Sequence, residues 1–171
     1  MQVMIMKKIR HYIAGGILFT WVIGTPAHFF YDWSGQNSLA ALFFPVNEST
    51  WEHMKLIFFP LLLFTLLTWK RASGFSPVLP TALLAGNLTG TLCIPVLFYT
   101  YSGIVGKNIP AVDIAVFFIS VLIAFWTAWK FRESDFLYRH RTGVWLLCAL
   151  MAVLFFVFTI APPELGLFRV P

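Results

Sequence analysis

Residues 51–69 read WEHMKLIFFPLLLFTLLTW, and from Leu56 to Trp69 no side chain carries a charge. A helix needs roughly 20 apolar residues to cross a hydrocarbon core about 30 Å thick. A membrane strand would alternate apolar and polar positions, which this run does not. With no water to satisfy backbone groups, a continuous apolar run of this length must be helical. Four other stretches read the same way, at about 12–31, 77–101, 109–129 and 143–161. The sequence therefore predicts an all-α polytopic membrane protein, a bundle of five transmembrane helices.

The composition agrees with that count. Of 171 residues, 59% are apolar and 11% charged, where a soluble domain carries about 25% charged residues. Nineteen Phe and seven Trp exceed what one small water-soluble core can hide. An ordinary cytosolic enzyme, a disordered chain and a nucleic-acid-binding module are excluded, and the lipid bilayer is the expected partner. No repeat, low-complexity segment or long linker divides the chain, so one helical domain is expected over 1–171. Cys93 and Cys148 fall at different depths of different spans and make no metal motif.

Charge between the spans predicts their orientation. Lys7, Lys8, Arg10, Lys70, Arg71, Lys130, Arg132, Arg139 and Arg141 fall on one side of a five-span chain, with only Lys55, Lys107 and Arg169 on the other. Positive charge marks the cytoplasmic face, so the N-terminus is expected inside and the C-terminus outside. The first apolar run is too long for a signal-peptide core and reads as an uncleaved span.

The acidic residues are distributed unevenly. Asp32, Glu48, Glu52, Asp113 and Glu164 map to outer ends or outer loops, together with His28 and His53. His28 lies inside the first span after Pro26, which should kink the helix or end its regular part. Asp32 follows one helical turn later and shares its face. Asn47, Glu48, Ser49, Glu52, His53 and Lys55 crowd into nine residues where the second span begins. Ser49 and Glu52 have capping-box spacing, with Asn47 as an alternative cap. Capping leaves a Glu, a His and a Lys unexplained. Lys55 can pair with Glu48 or Glu52, or reach the outer surface. Asp113 reads as an ordinary first-turn acid. Gly86 and Gly90 form a GxxxG that permits close helix packing, with Asn87 and Thr91 placed to hydrogen-bond across it.

The strings AHFFYDWSG (27–35) and FPVNESTWEHMKLIFFP (44–60) resemble a family of small bacterial multi-pass membrane proteins, a domain-of-unknown-function family. The likeness spans nearly the whole chain and rests on His28, Tyr31, Pro45, Asn47, Glu48, Ser49, Trp51, Glu52, His53 and Lys55. It implies a bacterial cytoplasmic membrane with the polar string on the extracytoplasmic side, and it brings no activity with it. Zinc-protease, P-loop, dinucleotide-binding and nucleophile-elbow motifs are absent.

Three functions fit these residues. In the first, His28, Asp32, Glu48, Glu52 and His53 hold a divalent metal such as zinc, a donor set suited to borderline or hard ions. An open coordination position would then activate water, with Glu48 or Glu52 as general base, for hydrolysis of a small-molecule, lipid-linked or membrane-embedded substrate. In the second, the same groups serve a small ion- or proton-coupled transporter, with a homodimer supplying the missing half of the path. In the third, they form a buried ion-pair network in a structural or accessory protein. Lys55, Asn47 and Tyr31 are expected to support the polar group in each case.

Overall fold

The computed structural model describes residues 2–170, which are helical with no strand among them. Helix α1 (Gln2–Trp33) is followed by the short α2 (Ser38–Phe43). The second span is α3 (Thr50–His53) joined at Met54 to α4 (Lys55–Leu67), and α5 (Trp69–Phe75) follows it. Then come α6 (Leu79–Val105), α7 (Pro110–Phe131), the short α8 (Asp135–Arg139) and α9 (Arg141–Ile160). Five helical segments are long and apolar enough to cross a membrane: Val3–Trp33, Thr50–Leu67, Leu79–Val105, Pro110–Phe131 and Arg141–Ile160.

The first span begins earlier than its apolar run. A 32-residue helix is about 48 Å long, well beyond a hydrocarbon core of about 30 Å. Its first turns, with Lys7, Lys8 and Arg10, extend the helix ahead of the apolar run. At its other end Gly35 and Gln36 take left-handed backbone (φ 69° and 61°), and the chain turns back into α2. Asn37 caps that helix, its Oδ1 accepting from the Leu39 N–H at 2.8 Å.

Leu18, Val22, Leu67, Leu92, Val96, Leu146 and Leu150 are all exposed on the outside of the bundle. Water would penalise such a surface and lipid would not. Inside, Ile57, Phe58, Leu61, Leu83, Val121, Phe125 and Phe155 form one core. Helices α6 and α7 make the most extensive contact. A Cβ on Gly86 would collide with the Ala124 carbonyl, and one on Gly90 would stand 2.7 Å from the Ser120 carbonyl. Glycine alone lets these two backbones touch. Asn87 ties the pair to the second span by donating from Nδ2 to the Phe58 carbonyl at 3.0 Å.

The two ends of the bundle differ. At one, the Arg10 and Arg132 guanidinium groups both lie over the Trp129 ring, at 5.8 and 4.1 Å from its centroid, and Arg71 lies 6.0 Å over Tyr12. Trp69 packs on Trp145 at the same end. The other end carries the polar string. There a single 3₁₀ turn, Gly166–Phe168, folds back so that Phe168 packs on Trp51.

Candidate metal centre

Pro60 has no N–H to offer the carbonyl one turn earlier, that of Leu56. That carbonyl is the atom α1 approaches at Gly24, where an added Cβ would stand 2.5 Å from it and 2.8 Å from Phe117. The close crossing lies one turn before His28 on α1 and three residues after His53 on the second span. Two histidines 25 residues apart are thereby brought face to face, with Nε2 atoms 3.2 Å apart.

Glu48 completes the group from the loop before α3. Its Oε2 is 3.4 Å from the Nε2 of His28 and 3.4 Å from that of His53. The loop is held by local bonds. Asn47 Oδ1 accepts from the Ser49 N–H at 2.9 Å, and Ser49 Oγ caps α3 by accepting from Glu52 N–H. The expected capping box is therefore only half formed. Glu52 turns its carboxylate to the Val46 N–H at 3.0 Å instead of to Ser49.

Three donor atoms on a near-equilateral triangle are what a small cation requires. Ligands about 2.0–2.1 Å from a tetrahedral zinc stand about 3.3–3.4 Å from one another. The edges here are 3.2, 3.4 and 3.4 Å. The tautomers suit the same role. His53 Nδ1 lies 2.9 Å from the Ser49 carbonyl, which can only accept, so in the neutral ring Nδ1 holds the proton and Nε2 a free lone pair. His28 Nδ1 is buried without a hydrogen-bond partner among the described residues, which leaves Nε2 as this ring's working atom. The Glu48 side chain is 61% exposed, so the group is reachable from the end of the bundle.

All three residues line a cavity of about 520 Å³, with Leu56, Ile94, Phe98, Val116 and Phe117 among its apolar walls. Asp113 also lines it. Far from being an ordinary first-turn acid, it is half-buried and accepts the Tyr101 hydroxyl, which in turn accepts the Ile109 N–H at 3.1 Å. Nothing in the sequence around Asp113 signals this, because its partner sits across a loop at the end of the preceding span.

Two expected ligands lie elsewhere. Asp32 is exposed at the end of α1, and no hydrogen bond joins it to His28 among the described residues. Glu52 is buried and paired with Lys55, Oε2 to Nζ 2.7 Å. Lys55 Nζ also donates to Thr159 Oγ1 at 2.6 Å and to the Ala41 carbonyl at 2.9 Å. Thr159 Oγ1 donates to Glu52 Oε1 at 2.9 Å, so both carboxylate oxygens are engaged. Tyr31 offers its backbone carbonyl to Ser34 Oγ. The polar string thus separates into two groups, an accessible His–Glu–His triangle and a buried Lys–Glu–Thr network.

No curated protein and no solved structure matches the chain. A family profile does, across residues 1–170: the chain belongs to DUF6512, a family of unknown function.

Proposed function

We propose that His28, Glu48 and His53 bind one divalent metal ion, zinc foremost, and that the bound metal serves hydrolysis of a membrane-embedded substrate. The observation that carries this reading is the triangle of donor atoms with edges of 3.2, 3.4 and 3.4 Å. Two neutral imidazoles and one carboxylate suit zinc, manganese or iron. Three protein ligands leave a tetrahedral ion one position for water, whose deprotonation the metal promotes near neutral pH. That position would open on the cavity the three residues share. The charge asymmetry supports placing it on the extracytoplasmic side, and the family resemblance implies a bacterial cytoplasmic membrane.

The test is elemental analysis of the full chain purified in mild detergent without chelators or metal-affinity steps. About one metal per chain is expected, lost in His28→Ala and His53→Ala and retained in Asp32→Asn. No metal in the wild type after exposure to zinc, manganese and iron, with thermal stability unmoved by a chelator, overturns the reading.

The Lys55–Glu52–Thr159 network supports a second, separate role. Its members touch one another and backbone carbonyls, and its geometry fits holding the second span, α2 and α9 together.

A further inference from the structure

We infer that the substrate at this site is a neutral long-chain ester or amide, its chain lying in the cavity and its carbonyl reaching the metal; the inference rests on the metal reading above. The cavity, about 520 Å³, is within the range of about 300–1,000 Å³ typical of small-molecule sites. Its apolar walls come from the second span, α6 and α7, through Leu56, Ile94, Phe98, Val116 and Phe117. Its polar lining residues are the triangle with Thr25, Thr50, Asn108 and Asp113.

Charge selects the headgroup. The carboxylates lining the cavity are Glu48 and Asp113, and no Lys or Arg lines it among the described residues. A divalent ion, two neutral imidazoles and these two carboxylates sum to zero. The buried Lys55 is already matched by Glu52 and does not line this space. Lys107 and Arg169 adjoin the lining residues Asn108 and Val170 without lining it themselves, and Arg169 lies 3.8 Å from Glu164. A phosphate or carboxylate headgroup would bring a charge for which the cavity lining offers no Lys or Arg partner. A carbonyl needs no counter-charge and can be polarised by the metal. In the hydrolysis, a water oxygen bonds to the carbonyl carbon and the acyl C–O or C–N bond breaks. One proton of the water passes to the departing alcohol or amine, and no electron is transferred.

The experiment loads the full chain in lipid nanodiscs with Co²⁺, whose visible absorption reports its ligands. The spectrum is followed on adding acetohydroxamate, a hexadecyl-chain hydroxamate (neutral in solution) and a phosphonate of the same chain length. The long hydroxamate should perturb the spectrum at a concentration at least tenfold below acetohydroxamate and below the phosphonate. Ile94→Trp, and independently Val116→Trp, should remove that chain-length advantage and keep the acetohydroxamate response. No chain-length advantage, tighter binding of the phosphonate, or an advantage persisting in both cavity variants (simple partitioning into lipid) overturns the substrate class with the metal reading intact. A wild type that shows no cobalt spectrum overturns the metal reading and this inference with it.

Discussion

Lys55 has three ammonium protons and three close acceptors, Glu52 Oε2, Thr159 Oγ1 and the Ala41 carbonyl, with no solvent exposure. Removing one member of such a buried pair leaves the other charge uncompensated, which costs on the order of 3–5 kcal/mol. Lys55→Met should therefore lower the thermal unfolding temperature in detergent sharply. Adding Glu52→Leu to it should recover part of the loss, since an apolar pair replaces a stranded carboxylate. A single variant as stable as wild type would remove the network from any account of the fold. The choice of Glu52 over Glu48 as the lysine's partner could not be read from spacing. It is made by Thr159, 104 residues along the chain, and by the Val46 N–H that fixes the carboxylate. His28 and His53 were legible as polar residues out of place in apolar segments, but their meeting was not, because nothing local encodes which faces of two helices cross.

At the level of helices, glycine sets the distances. Gly24 allows α1 to lie against the Leu56 carbonyl, and the two histidines meet one turn away. Gly24→Val should push α1 from the second span and lower metal occupancy at least tenfold at a fixed, limiting metal concentration, measured by elemental analysis. Gly86→Val should instead loosen α6 from α7 by striking the Ala124 carbonyl, and lower stability while leaving the triangle's own helices in register. Full metal occupancy in Gly24→Val would mean that the crossing does not position the site. The spans themselves were legible because apolar length alone determines them. Their ends were less so: α1 runs through Lys7, Lys8 and Arg10, since a helix continues beyond its apolar run wherever no residue stops it. The GxxxG reading identified close packing correctly but not that α7 was the partner.

For the molecule as a whole, a metal joining α1 to the second span should stabilise the fold by mass action. At a free concentration one hundred times the dissociation constant the gain is about 2.7 kcal/mol. Zinc should raise the unfolding temperature of the wild type and leave that of His28→Ala unchanged. A chelator should abolish the gain. A zinc-dependent shift that survives in His28→Ala would point to ligands other than these histidines. The order of the chain adds a constraint on synthesis. All three triangle residues have been made by residue 53, but Thr159 follows Lys55 by 104 residues. At about 5–20 residues per second the lysine and its carboxylate wait about 5–20 s for that hydroxyl. During that interval the Lys55–Glu52 pair lacks the α9 hydroxyl that bonds to both. Slowed synthesis before α9 should therefore leave the newborn protein more open to quality-control proteolysis.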